Sequence, residues 1–132
     1  MSTRRIAIIA SNGGLDHAYK VLNIATAAAA TEAEAAVFFT FEGLNIIHKE
    51  GHKALSMGPG REHFVEGFKK ANVPSIPELL QIAQDSNVKL IGCQMTMDVM
   101  NIAKEELVEG VEVGGAVTFL DFAYDADTTV TF

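Results

Sequence analysis

The chain has one cysteine in 132 residues, and that scarcity removes whole classes of protein. A lone thiol cannot close an internal disulfide, so the secreted, disulfide-stapled class is excluded and a reducing cytoplasm is the expected setting. Basic residues are also in deficit, 10 against 17 acidic, for a formal net charge of −7. Such a surface repels a polyanion over most of its area, so nucleic acid is not an expected partner. Long apolar runs are missing. The Ala-rich region around Ala27 is diluted by Asn23, Thr26 and Thr31 and falls short of the roughly 20 apolar residues that a membrane span takes. "MSTRR" followed by "IAIIA" has the charged start of a signal peptide, but Ser11, Asn12 and two glycines interrupt the apolar stretch too early, and it reads as a buried strand. There is no repeat, low-complexity tract or linker, and the length suits one core, so a single domain over 1–132 is expected.

What is present is an alternation of short apolar runs with helical patterns. Ile6 to Ala10 is one such run; "SNGG" punctuates it, and Leu15, Ala18, Leu22, Ala25 and Ala29 then recur at helical spacing. "AAVFFTF" repeats the buried-strand pattern, and "EGLNIIHKE" after it predicts a short helix ended by Gly51. "GHKALSMGPGRE" has the composition of an irregular loop and is a candidate lid; Phe64, Val65 and Phe68 mark one face of a helix over Arg61 to Ala71. Ser75, flanked by Pro74 and Pro77, is a natural N-cap for a helix reaching about Asn87. "VKLIG" predicts a third strand ending at Cys93, with a helix over Met95 to Ala103; "GVEV", "GGAVTFLDFAYDA" and "TTVTF" then read as strand, helix and strand. The whole pattern predicts a parallel α/β sheet covered on both faces.

Ligands of open parallel sheets bind beyond the carboxyl ends of the strands, and the unusual residues cluster at those ends. Asn12, Gly13 and Gly14 follow the first strand, Thr40 and Glu42 the second, and Cys93, Gln94 and Met95 the third, while Gly114 opens the last helix. These residues form the candidate site, with Cys93 catalytic and the others lining the substrate. A flavodoxin-type strand order would make the first and third strands neighbours and set "SNGG" opposite Cys93. "SNGGLD" lacks both the dinucleotide fingerprint and the phosphate-loop lysine, so it reads as a tight turn. His48 and His52 are one helical turn apart, yet Gly51 lies between them and no cysteine completes a set, so they read as surface histidines and no metal or cofactor is expected. Met95, Met97 and Met100 could line a soft pocket beside the sulfur, although methionine in a helix is usually core filler, and Glu105, Glu106 and Glu109 read as a solvated face.

Cys93 is the one candidate nucleophile. Free cysteines are commonly inert and buried, but a thiol where a strand becomes a helix meets unpaired amides that favour its thiolate. Asp98 opposes that effect, and His17 is the histidine best placed to approach. With no second cysteine, a self-contained dithiol cycle is excluded. The chemistry left to one thiolate is to take up a group and hand it to another molecule's thiol.

"CQMTMDVM", "VFFTFEGLNII" and "EVGGAVTFL" together resemble the DsrE/DsrF-like proteins, in particular the subgroup labelled peroxiredoxin-like, over nearly the whole chain. The resemblance implies a single flavodoxin-like α/β domain with a mainly parallel sheet of about five strands. It also implies a homo-oligomer, for which a trimer and a hexamer are both open, and a role in sulfur relay with Cys93 carrying persulfide sulfur. Its partners would be sulfur-donor and sulfur-acceptor proteins or small persulfides. Two residues depart from the family pattern: Glu42 stands where tryptophan is common and Asn101 where glycine is common. The leading expectation is therefore a sulfur carrier or sulfurtransferase. The alternatives are a small-ligand or nucleotide-binding module using "SNGG" and "VGG", and a non-catalytic oligomeric scaffold or regulator of sulfur proteins.

Overall fold

A computed structural model describes residues 3–132. Five strands form one parallel sheet: β1 (Arg5–Ala10), β2 (Glu34–Phe39), β3 (Lys89–Cys93), β4 (Glu112–Gly114) and β5 (Thr128–Thr131). Five helices accompany them: α1 (Leu15–Ala30), α2 (Phe64–Lys70), α3 (Ile76–Asp85), α4 (Gln94–Met100) and α5 (Ala116–Ala123). The alternation of elements is the one the apolar runs predict, and the sheet is covered on both faces.

Alternation along each strand sends side chains to opposite faces. Ile8, Ala10, Val37, Phe39 and Leu90 join Val21 and Leu22 of α1 and Leu79 and Leu80 of α3 in the larger core cluster. Ala7, Phe38, Ile91 and Cys93 belong to the second cluster, against Phe119 of α5, whose ring stacks on Phe38 at 5.3 Å between centroids. The two sides are unequal. One carries two long helices, whereas the other, where Cys93 lies, is covered by the eight residues of α5.

The strand order is β4-β3-β2-β1-β5, which corrects the flavodoxin-type neighbourhood of the first and third strands: β2 lies between them. The reason is in the side chains. β2 is buried at every position after Glu34, whereas β5 (TTVT) and the three-residue β4 are polar or short and take the edges.

Some boundaries differ from the pattern-based expectation. "EGLNIIHKE" forms a 3-10 helix over Phe41–Ile46 and then a turn in which His48 Nδ1 accepts the amides of Glu50 and Gly51. His48 is therefore a turn-forming residue, and its Nε2 faces Glu106 at 3.4 Å. α4 stops at Met100 because Asn101 is left-handed (φ 55°), a conformation that glycine and asparagine accept more readily than other residues. α2 begins at Phe64, since Arg61 to His63 are spent in tight turns. Ser75 does cap α3, its hydroxyl accepting the Glu78 amide.

Candidate functional site

The site grows from the ends of β2 and β3. In the parallel register Phe39 pairs with Gly92, so the next residues, Thr40 and Cys93, come abreast at the carboxyl edge. Cys93 pairs in turn with Gly114 of β4. Beyond Thr40 the chain turns into the 3-10 helix, which is pressed onto the end of β1. The Thr40 amide donates to the Ala10 carbonyl at 3.0 Å, and a Cβ on Gly43 would stand 2.0 Å from that same oxygen. Glycine at position 43 is thus required by a close approach of backbone to backbone.

The turn holds Phe41 at φ 49°, a left-handed conformation rarely adopted by a bulky residue and costing about 1–2 kcal/mol. Leu44, Ile46 and Ile47 immediately after it are fully buried. Each such side chain contributes about 1.5–3 kcal/mol. Their burial outweighs the backbone cost, so the strained turn persists, and the Phe41 amide is left pointing at Thr96 of α4, donating to Thr96 Oγ1 at 3.1 Å. The Thr40 hydroxyl lies 3.1 Å from the same oxygen.

Cys93 is 4% exposed and is the N-cap residue of α4. Burial alone would push its thiol up, yet its pKa lies below the ordinary value. Against desolvation act the Thr96 hydroxyl, the Thr96 amide, the Thr40 hydroxyl and the Met95 amide, all donors that favour the thiolate. No capping bond to the sulfur is closed in this state, as expected of a thiol, a weak acceptor; the donors stand ready for the anion.

The sequence-derived candidates separate into two groups. Thr40, Met95 and Gly114 are brought to Cys93, through a hydroxyl, a backbone amide and the sheet register respectively. Gln94 adjoins Cys93 in the chain, but its side chain turns away to donate to Asp98 Oδ1 at 2.9 Å. Asn12, Gly13 and Gly14 stand at the end of β1, with β2 intervening. Gly13 packs under the backbone of Glu42, Gly14 caps α1, and Asn12 and Glu42 are exposed. The loop from Gly51 to Gly60 also belongs elsewhere: Ser56 accepts the Leu15 amide and Leu55 packs on the α1 side of the sheet, opposite the face that holds Cys93. Among the described residues no group of three or more potential metal ligands occurs, and no helix is long and apolar enough to cross a membrane.

Thr96 and the Phe41 amide escaped the sequence reading. A signal for Thr96 existed: in "CQMT" the threonine is the third helical residue after the N-cap, the position from which a capping-box side chain reaches back. Nothing in sequence announced the left-handed Phe41, because its conformation follows from packing against β1.

Fold and site together define the class, a small parallel α/β protein presenting one cysteine at the carboxyl edge of its sheet. The chain belongs to the DsrE/DsrF/DrsH-like family, whose model matches residues 2–67 and 60–131. It is 34% identical to the sulfur carrier protein DsrE2 of Allochromatium vinosum, over 96% of this chain and 97% of that protein. It is 30% identical to the uncharacterized protein YrkE of Bacillus subtilis, over 89% and 90% respectively. Among solved structures, the ychN protein from E. coli superposes with a TM-score of 0.68 at 21% identity, each chain covered completely. MTH1491 of Methanobacterium thermoautotrophicum superposes at 0.61 with 12% identity, over 96% of this chain and 98% of that one. At those identities the two structures bear on the fold, and they agree with the five-stranded α/β architecture.

Proposed function

We propose that this chain is a cytoplasmic sulfur carrier in which Cys93 takes up sulfane sulfur as a persulfide and passes it to the thiol of a partner. The observation that carries the reading is the position of the thiol, alone in the chain, at the edge of β3 among hydroxyl and amide donors that favour an anionic sulfur. The kinship with a sulfur carrier at 34% identity supports the same reading. In uptake, the Cys93 thiolate attacks the outer sulfur of a donor persulfide; the donor's S–S bond breaks and the donor leaves as its thiolate. In hand-off, an acceptor thiolate attacks the outer sulfur on Cys93, and the Cys93 thiolate is released. One S–S bond forms and one breaks in each step, so no oxidant or reductant is consumed. With no second thiol in the chain, the persulfide cannot collapse to an internal disulfide.

The covering of Cys93 by α5 sets a condition on both steps: the sulfur must be uncovered to react. Gly115, with open space around it, leads into α5 and is the joint for that movement, while Gly114 stays paired with Cys93 in the sheet. Met95, Thr40 and Gly114 line the approach on this reading. Intact-mass measurement after exposure to polysulfide tests it. The parent protein should gain sulfur and Cys93→Ser should fold identically and gain none. A parent that stays at its bare mass with every donor, while its thiol resists alkylation in the folded state, would make Cys93 a packing residue and refute the proposal.

A further inference from the structure

Thr96 is the only buried polar residue among the described ones, 1% exposed, and the disposition of its single hydroxyl proton is constrained by what surrounds it. A hydroxyl has one proton and two acceptor positions. The Phe41 amide, which can only donate, takes one acceptor position at 3.1 Å, and it is held there by the left-handed backbone at Phe41. The Thr40 hydroxyl lies 3.1 Å away and either oxygen can donate to the other; when Thr40 donates, it fills the second acceptor position and has no proton left for the sulfur. With both acceptor positions filled, the Thr96 oxygen has only its proton left to offer, and the thiol of Cys93, the N-cap residue three positions before it, is the group that this hydroxyl favours as the anion.

We propose that Thr96 is a positioning residue that aims its hydroxyl proton at Cys93 Sγ, with the Phe41 amide and the Thr40 hydroxyl fixing that direction. The arrangement rests on the sulfur-carrier reading for its purpose. In the hand-off step Sγ is the leaving group, and a donor already directed at it stabilises the departing thiolate. The strained turn thereby acquires a role: relaxing Phe41 to an ordinary conformation would withdraw its amide and free the Thr96 oxygen to reorient. The charged groups on the surrounding elements are Glu42 on the 3-10 helix, Asp98 on α4, Lys89 on β3, and Glu112 and Asp121 on β4 and α5. None of them is among the groups that shift the thiol, so the hydroxyl and amide donors decide its state.

The rate of Cys93 alkylation against pH, measured without any sulfur donor, tests the proposal separately from sulfur carriage. Thr96→Val keeps the shape and removes the hydroxyl. A hydrogen bond to a charged group is worth roughly a ten- to hundredfold change in equilibrium, so the midpoint should rise by about one to two pH units. Thr96→Ser should restore the parent profile. A Thr96→Val protein that is folded by circular dichroism and has the parent midpoint overturns the proposal, as does a Thr96→Ser protein that behaves like the valine variant. Because Thr96→Val also strands the Phe41 amide, it is exposed to misfolding, and the unaltered protein provides the second measurement. The Phe41 amide resonance should shift with the same midpoint as Cys93 alkylation, and the shift should vanish in Cys93→Ser. A Phe41 amide that is flat across the thiol titration overturns the proposal whatever the variants do.

Discussion

Adding one methyl group at Gly43 should damage both the fold and the thiol, although Gly43 reaches the sulfur's surroundings only through its amide bond to the Thr40 carbonyl. The new Cβ would stand 2.0 Å from the Ala10 oxygen, 2.6 Å from the Ala10 carbonyl carbon and 3.1 Å from the Ser11 nitrogen. Carbon and oxygen settle at about 3.3 Å even in their closest favourable contacts, so the overlap is more than about 1 Å. All three clashing atoms are backbone at the end of an interior strand, and they have no side-chain rotation by which to yield. The 3-10 helix must therefore lift. Lifting it strains the Thr40 amide bond to Ala10 (3.0 Å), the Gly43 amide bond to Thr40 (2.9 Å) and the Phe41 amide bond to Thr96 (3.1 Å). Overpacking costs about 1–3 kcal/mol and each lost hydrogen bond about 1 kcal/mol, so partial relaxation leaves Gly43→Ala destabilised by roughly 2–4 kcal/mol. Urea unfolding should show that loss as a lower midpoint at unchanged slope. The alkylation midpoint of Cys93 should rise in the same protein, because Thr40 moves with the turn and Thr96 loses the Phe41 amide that holds its hydroxyl. A variant within about 0.5 kcal/mol of the parent, with an unchanged thiol titration, would refute the idea that this contact sets the turn.

Two further outcomes follow from the surface. The Asp16 carboxylate accepts from Arg61 at 3.1 Å and has a lowered pKa: desolvation opposes the shift, but His17 and Arg61 more than reverse it. A depressed carboxyl pKa stabilises the fold above the ordinary carboxylate value and loses that contribution as pH falls through the folded pKa. The link from α1 to the segment before α2 should thus loosen only in acid below about pH 4, seen as faster amide exchange around Arg61, and Asp16→Asn should loosen it already at neutral pH. The second outcome is a homo-oligomer. Val117 and Tyr124 flank α5 with 72% and 77% exposure, and Met95 and Val99 add apolar area on α4 beside Cys93, a concentration that a free surface does not need. Sedimentation at micromolar concentration should show a multiple of the 14.2 kDa chain, and a purely monomeric boundary would contradict it.

Much of the architecture was legible because it is written locally. Continuous apolar runs such as "IAIIA" and "AAVFF" have the length and composition of interior parallel strands, and Ser75 followed by Pro77 states where α3 begins. The end of β3 at Cys93, and hence the thiol's place at the carboxyl edge, followed from the same signals, as did the absence of any second thiol. Strand order was not local. It depends on which strands can tolerate an edge, a comparison across the whole sheet, and it sets β2 rather than β1 beside β3. That one decision moved "SNGG" away from the sulfur and brought Thr40 abreast of it through the Phe39 to Gly92 register. Phe41 shows the same division more sharply: its propensity argues against a left-handed backbone, and it is held there because three fully buried residues after it and a glycine-wide gap at Ala10 leave the chain no other path. Residue pattern determined that one cysteine would stand where a strand gives way to a helix. Only packing between segments distant in sequence decided which hydroxyls and amides surround its sulfur, because a hydrogen bond requires a partner at about 3 Å and sequence spacing does not fix that distance across a sheet.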